Sequence, residues 1–215
     1  MPQKLLNPAD VQKTFAMLTV DAKNRQLLTS LAPWDEVQEI GYLSLPPGYE
    51  LVRVDNRLQG EGILQEHFEL ALINTVSDEI VYYNRVIVQP DAYLNYMPVT
   101  QILIWRSPKP SHRPALRDLP GKIFSSYLLE KYNVIITDRH QTNDGMNFWQ
   151  TRLYEALASN RYIYGYDMIT CELRHVSDEA SLGSSLEWLW GDEEHHQDRL
   201  AIISVLPLPR NIVEN

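Results

Sequence analysis

The chain has almost no cysteine and no long apolar run. Its 215 residues include one cysteine, Cys171, so no disulfide can form within the chain. A single thiol is typical of a reducing compartment, and we expect a cytoplasmic protein. No stretch approaches the roughly 20 consecutive apolar residues of a membrane-spanning helix. The first residues lack the apolar core of a signal peptide. We therefore expect no signal peptide and no association with a membrane.

Positive charge is also scarce. There are 19 lysines and arginines against 28 aspartates and glutamates, which gives a formal net charge of −9 and a pI near 5.1. This balance disfavours nucleic acid and anionic membranes as partners. Residues 106–122 are the exception, because five basic residues against one acidic residue give them a local net charge of +4. Nucleic-acid modification would use that patch, but the charge of −13 on the rest of the chain disfavours it.

Common catalytic signatures are missing. The chain contains no Gly-x-Ser-x-Gly, no Walker phosphate loop and no His-Glu-x-x-His. Residues 193–198 group two histidines with carboxylates, but they lack the i, i+4 histidine spacing of a helical zinc motif. We interpret this segment as a solvated turn and expect no metal site. We interpret Cys171 as a packed thiol rather than a nucleophile.

The spacing of the apolar residues predicts an α+β protein. Residues 8–32 have helical spacing with a break near 19–21, and residues 37–107 predict strands joined by short turns, which is an antiparallel meander. Four prolines in residues 106–120 predict an extended connector. The remaining chain predicts a helix from 121, a strand at 134–136, a helix at 145–158, a strand at 161–166, a strand at 168–176, a polar loop at 177–185 and a strand at 200–206.

We expect these elements to form one domain, residues 1–215. It would have a helical N-terminal segment, 1–33, and a loose tail, 207–215. The strand block 68–105 and the segment 121–166 should share one sheet, because neither can bury its apolar residues alone. The expected fold class is α+β, with a mixed, largely antiparallel sheet flanked by helices.

The loop from Arg117 to Lys122 is the first candidate site. It follows a strand and opens a helix, and Gly121 near that helix start would let a ligand approach the backbone N–H groups at Gly121 to Ile123. Lys122 and the neighbouring arginines would add positive charge for a phosphate. The alternative interpretation is an ordinary Pro-Gly helix start with solvated basic residues.

The second candidate site follows the buried strand at 134–136. Asp138, His140 and Thr142 form a polar group at the point where side chains emerge from a strand end into a crevice. Thr142 also suits a helix cap. The alternative interpretation is a tightly capped helix that is anchored by Trp149 and carries no chemistry.

Antiparallel strands followed by a basic loop, a helix, a strand, a helix and a strand resemble the GNAT acyltransferase superfamily over about residues 68–176. The resemblance implies a GNAT-like fold and transfer of an acyl group from acetyl-coenzyme A or another acyl-coenzyme A to an amine. It implies that Arg117, Gly121, Lys122 and Ile123 bind the coenzyme. Asp138 or Glu69 would then act as the base, and His140 and Thr142 would lie at the substrate.

A second function is a non-catalytic protein-protein interaction module that keeps this fold. The family's loop has a second glycine, which this chain lacks. Trp149 falls at the position of the tyrosine that protonates the leaving thiolate in the family. Both differences favour the interaction module, whereas the +4 segment beside Gly121 favours the enzyme. The acceptor amine, a small molecule or a protein, and the formation of a homo-oligomer are left open.

Overall fold

The computed structural model describes residues 8–37, 40, 44–59, 61, 63–88, 98–137, 143–191 and 198–208. The chain divides into two compact units. The described part of the first, which we call the N-terminal unit, comprises residues up to 88 and residues 101–127. The described part of the second, the C-terminal unit, comprises residues 98–100 and those from 128 onward. The expectation of a single domain stays a prediction.

The N-terminal unit begins with two helices, as predicted. Helix α1 spans Pro8–Thr19 and helix α2 spans Asp21–Leu31, with Val20 between them. The buried leucines of these helices pack in one core cluster with buried residues of the following strands. The cluster contains Leu18, Leu27, Leu31, Val52, Val54, Ala71, Ile73, Ile80, Tyr83 and Leu103. The helices therefore cover one face of the sheet in this unit.

The predicted meander is confirmed. The strands are β1 (Asp35–Glu36), β2 (Tyr49–Asp55), β3 (His67–Asn74), β4 (Glu79–Val88) and β5 (Val99–Arg106), of which β5 lies mostly in this unit. Strands β2 and β3 pair antiparallel with Leu51 opposite Leu72, and β3 and β4 pair antiparallel with Glu69 opposite Arg85. The turn before β2 uses Gly48 at φ +82°, where a side chain would be strained.

The proline-rich segment after β5 is not an extended connector, so that prediction is wrong. It contains a 3-10 helix, Pro110–His112, and helix α3, Arg113–Leu116. Pro110 is the first residue of the 3-10 helix and Pro114 is the second residue of α3, so both lie in a first helical turn, where a missing N–H removes no intrahelical bond. A proline therefore starts a short helix here where we expected it to prevent one.

The next helical stretch, residues 119–132, changes from α-helical to π-helical hydrogen bonding and back along its length. It comprises α4 (Leu119–Lys122), a π-helical part (Ile123–Leu128) and α5 (Leu129–Tyr132). Its buried residues form three adjacent pairs, which are Leu119 with Pro120, Ile123 with Phe124, and Leu128 with Leu129. The last two pairs are five residues apart, a spacing that an α-helix would rotate by about 140°. A π-helix bonds residue i to i+5, so it brings the two pairs onto one side.

The C-terminal unit combines three-residue to six-residue strands with two longer helices. Its elements are β6 (Val134–Ile136), α6 (Asn143–Ala158), β7 (Tyr162–Asp167), β8 (Leu173–Val176), α7 (Glu179–Trp190) and β9 (Arg199–Ser204). The polar loop predicted at 177–185 is wrong, because α7 occupies most of it. The side chain of Asp178 accepts the backbone N–H of Ser181, and Ser181 accepts the backbone N–H of Asp178, so a capping box starts this helix.

The strands form one nine-stranded sheet in the order β1-β2-β3-β4-β5-β6-β9-β7-β8. The predicted sharing of a sheet by 68–105 and 121–166 is therefore confirmed. Strand β6 pairs parallel with β5 at Val99 and Ile135, and it pairs antiparallel with β9. The α+β class with a mixed, largely antiparallel sheet is also confirmed. Within the described residues, no helix is both long and apolar enough to cross a membrane.

Candidate functional site

Of the two predicted sites, the structure describes the residues of one and not those of the other. Asp138, His140 and Thr142 lie outside the described residues. Arg117, Gly121, Lys122, Ile123 and Glu69 are described, and all five belong to the N-terminal unit.

The basic loop forms a helix start that is only partly accessible. The side chain of Arg117 is exposed, and Gly121 and Lys122 are half-buried. Ile123 is fully buried and belongs to the core. Asp118 precedes the helix in the left-handed conformation, with φ +59°. Of the four predicted coenzyme-binding residues, Ile123 therefore offers no side chain to a ligand.

Some backbone donors at this helix start are already in use. The N–H of Lys122 donates to the carbonyl of Asp118 at 2.9 Å, and the N–H of Ile123 donates to the carbonyls of Leu119 and Pro120. The first-turn N–H groups that lack an intrahelical acceptor include those of Leu119 and Gly121. Leu119 is fully buried and Gly121 is half-buried, so Gly121 offers the more accessible donor. An anion here would meet the N–H of Gly121 together with the side chains of Arg117 and Lys122.

Glu69 forms the centre of a buried polar cluster on the sheet face that α1 and α2 cover. Arg57 binds it through two bonds, from Nε to Oε2 at 2.7 Å and from Nη2 to Oε1 at 2.7 Å. The hydroxyl of Tyr83 donates to Oε1. Arg85 then donates from Nη2 to the Tyr83 oxygen at 3.0 Å. Both carboxylate oxygens of Glu69 are thus occupied, and its side chain is 0% exposed.

Burial and charge act against each other in this cluster. Burial alone would lower the pKa of the Arg57 guanidinium, but the hydrogen bonds and charge of Glu69 outweigh burial and raise it. Burial raises the pKa of the Tyr83 hydroxyl well above its usual range. The phenol is therefore neutral, and it links Glu69 to Arg85 as a donor to one and an acceptor from the other.

Two further side chains of this face have polar atoms without partners. Within the described part of the chain, both amide atoms of Gln101 and the Nε of Arg85 are buried and make no hydrogen bond. Both residues are 7% exposed. We did not single out Arg57, Arg85 or Gln101 from the sequence. The available signal was a long polar side chain at an inward position of each of three neighbouring strands, β3, β4 and β5.

A second polar network lies in the N-terminal unit. The ammonium of Lys109 bridges Asp21 at 3.0 Å and Glu79 at 2.6 Å. His112 lies between Glu79, 3.1 Å from its Nε2, and the Tyr49 hydroxyl, 2.9 Å from its Nδ1. Burial alone would raise the pKa of the Glu79 carboxyl, but its bonds, with that of Lys109 the largest among them, lower it. This network fastens the proline-rich segment to the ends of β2 and β4.

The helix predicted at 145–158 is confirmed as α6, and its Trp149 is 3% exposed. Tyr154 on the same helix is 48% exposed. Trp149 is therefore a packing residue.

The described residues contain no group of three or more histidine, cysteine, aspartate or glutamate side chains placed to hold a metal ion. Cys171 is half-buried and packs against the core cluster of the C-terminal unit. No protein-family model matches the chain, and no curated protein sequence matches it.

Proposed function

We propose that the protein transfers an acyl group from an acyl-coenzyme A to an amine on a GNAT-like fold. The observation that supports this most is the order and direction of the elements. Antiparallel strands β2 to β5 are followed by the basic segment, a helical stretch, strand β6 parallel to β5, helix α6 and strand β7. This is the order on which the resemblance to the acyltransferases rests.

The proposed chemistry is direct attack of the amine nitrogen on the thioester carbonyl carbon. A carbon–nitrogen bond forms, the carbon–sulfur bond breaks, and the coenzyme leaves as a thiolate that takes up a proton. Such catalysis consists mostly of positioning and of hydrogen bonding to the developing oxyanion. The amine must also lose a proton. Because both oxygens of Glu69 already accept hydrogen bonds, we propose Asp138 as the base that takes up this proton. Glu69 is the second candidate for the same role.

Arg117, Lys122 and the N–H of Gly121 are the proposed contacts of the coenzyme phosphates. The two side chains supply positive charge, and a first-turn N–H supplies a donor that no helical carbonyl uses. Ile123 contributes to the helix start only through its buried side chain. His140 and Thr142 are proposed to line the acceptor amine's site.

Calorimetry with acetyl-coenzyme A and with coenzyme A tests the proposal. The wild type should bind, and Gly121→Glu should weaken binding by more than about tenfold, or roughly 1.4 kcal/mol. The substitution places a negative charge and a side chain where a phosphate would lie. Gly183→Glu is the matched control, because Gly183 is exposed on α7. Equal binding by wild type and Gly121→Glu would show that the coenzyme does not use this helix start.

The second candidate function is a non-catalytic interaction module. Two observations favour it. Both carboxylate oxygens of Glu69 already accept hydrogen bonds, and a buried Trp149 stands where the family has the tyrosine that protonates the leaving thiolate. If neither coenzyme ligand binds the wild type at millimolar concentration, the acyltransferase proposal fails and the interaction module takes its place.

A further inference from the structure

His67, the first residue of β3, is a buried histidine whose protonation state is defined by its hydrogen bonds. The backbone N–H of Leu58 donates to its Nε2 at 3.0 Å, so Nε2 carries a lone pair and no proton. Its Nδ1 lies 2.8 Å from the carbonyl oxygen of Gln65, which can only accept, so Nδ1 carries the proton. The residue is 0% exposed. The folded protein therefore holds this imidazole neutral and in one tautomer.

The backbone of His67 binds the same part of the chain. Its N–H donates to Oδ1 of Asn56 at 3.0 Å, and its carbonyl accepts the N–H of Asn56 at 2.9 Å. Asn56, Arg57 and Leu58, which we call the Arg57 segment, are thus bound to His67 at both ends. Between these ends, Arg57 reaches Glu69 of β3 through two hydrogen bonds of 2.7 Å. The bond from Leu58 to Nε2 therefore helps to hold Arg57 on Glu69.

The charged groups on the side of the sheet where His67 lies are those of the Glu69 cluster. Alternate residues of a strand share a face, so His67 and Glu69 lie on the same side. Two guanidinium groups, of Arg57 and of Arg85 on β4, accompany the one carboxylate and the neutral Tyr83. Among the described residues, those that α1, α2 and β5 bury on this side carry no charge; they are Leu18, Asn24, Leu27, Leu31, Gln101 and Leu103. The acidic residues of the adjoining strand end and loop are exposed; they are Asp55, Glu61 and Glu66.

Proton uptake by His67 is incompatible with this arrangement. An imidazolium carries an N–H on each nitrogen, so Nε2 would face the N–H of Leu58 as donor against donor. The proton would also raise the net charge of the buried groups from +1 to +2, and buried charges without counter-charges are strongly unfavourable. Both effects are relieved when Leu58 leaves the ring and water reaches it. Proton uptake and release of the Arg57 segment are therefore coupled.

We propose that His67 is a proton-operated latch that fastens the Arg57 segment. While the imidazole is neutral, Leu58 is bound to Nε2 and Arg57 is bound to Glu69. When Nε2 takes up a proton, the bond from Leu58 is lost, the segment moves away, and Glu69 loses its paired bonds from Arg57. Histidine ordinarily changes its charge between about pH 5 and 8, so the latch responds to mild acidification. This device does not rest on acyl transfer, and it leaves the sheet folded.

Nitrogen NMR of the full chain, titrated from about pH 8 to about pH 5, tests the latch. The imidazole signals report which nitrogen carries a proton, and the Leu58 amide and the Arg57 Nε–H report the closed segment. Protonation of His67 Nε2 and the shifts of these two signals should share one midpoint, while the amide of Gly165 in the C-terminal unit keeps its folded position. Three results overturn the proposal: segment signals that ignore the protonation of Nε2, an Nε2 that stays unprotonated throughout, or loss of the Gly165 signal at the same midpoint.

Two variants separate the latch from the titration of other groups. Glutamine offers an amide oxygen to the N–H of Leu58 and takes up no proton in this pH range, so His67→Gln should keep the segment closed and abolish the pH response of Leu58 and Arg57. His175→Gln is the matched control, because His175 is exposed on β8, and it should leave the response unchanged. A response that persists in His67→Gln would belong to another group, such as Glu69, and would overturn the proposal. If His67→Gln fails to fold, the presence or absence of a shared midpoint in the wild type still decides.

Discussion

Replacing Gly165 with alanine tests how tightly α7 packs on β7. A Cβ atom at Gly165 would come within 2.7 Å of Cζ3 and 3.2 Å of Cε3 of the Trp188 ring. The ring has little freedom to move away. Arg174 lies 4.3 Å and Arg199 lies 4.8 Å from its centroid, and Arg199 also donates to the Trp188 carbonyl at 2.9 Å.

The expected loss of stability follows from three contributions. Overpacking of one methyl group typically destabilises by about 1 to 3 kcal/mol. Displacement of the indole also weakens contacts with two guanidinium groups, each of about 0.5 to 1 kcal/mol at an exposed site. Alanine in a strand regains roughly 0.5 to 1 kcal/mol relative to glycine. We expect Gly165→Ala to lower the free energy of unfolding by roughly 2 kcal/mol.

Urea unfolding followed by circular dichroism measures this change. Gly183→Ala is the matched control, because no atom lies within 4 Å of its added Cβ. In the middle of α7 it should stabilise the protein by up to about 1 kcal/mol. In Trp188→Leu the penalty of Gly165→Ala should largely vanish, since the clashing ring is gone. A Gly165→Ala protein within about 0.5 kcal/mol of wild type would refute the packing argument.

Two more predictions concern the N-terminal unit. Asn24 exchanges hydrogen bonds with both backbone groups of Ile80, at 2.7 and 2.9 Å. Asn24→Leu leaves buried groups unpaired and should destabilise by about 3 kcal/mol in urea unfolding, so a loss below about 1 kcal/mol would contradict this role. Lys109 lowers the pKa of Asp21, and its hydrogen bond also lowers that of Glu79 against the effect of burial. Carboxyls with a lowered folded-state pKa stabilise the fold above their unfolded pKa and lose this contribution as the pH falls. Lys109→Met should therefore lower the unfolding temperature at neutral pH, and the difference from wild type should shrink below the ordinary carboxyl pKa values of 3.8 and 4.5. A difference independent of pH would show that Lys109 acts by packing.

The regular elements could be predicted because their signals are local. Strands β2 to β4 follow one another within the predicted block 37–107, and α1 and α2 separate at the predicted break. Helix α7 was missed because a polar first turn and Gly183 hide its apolar residues, while its start depends on Asp178 and Ser181 capping each other. The π-helical stretch was missed because its apolar pairs follow neither the helical nor the strand period.

The polar cluster was only partly predictable for a different reason. Glu69 was visible as a carboxylate inside an apolar strand. Its partner Arg57 lies in the loop before β3, and Arg85 faces Glu69 only through the register of β3 with β4. No local pattern specifies which strand lies beside which, so a sequence alone cannot place Glu69 opposite Arg85.

The π-helical stretch at Ile123–Leu128 has a consequence for how this chain tolerates changes in length. A π-turn holds one residue more than the α-turn it replaces, so it is the structural form of a single-residue insertion. Deletion of the exposed Ser125 would restore the α-helical bonding pattern and keep Ile123 and Phe124 in phase with the shifted Leu128 and Leu129. The same deletion one turn earlier, within α4, would rotate every following apolar side chain by about 100°. This helix therefore contains one position where evolution or design can change the chain by a single residue without losing the apolar face.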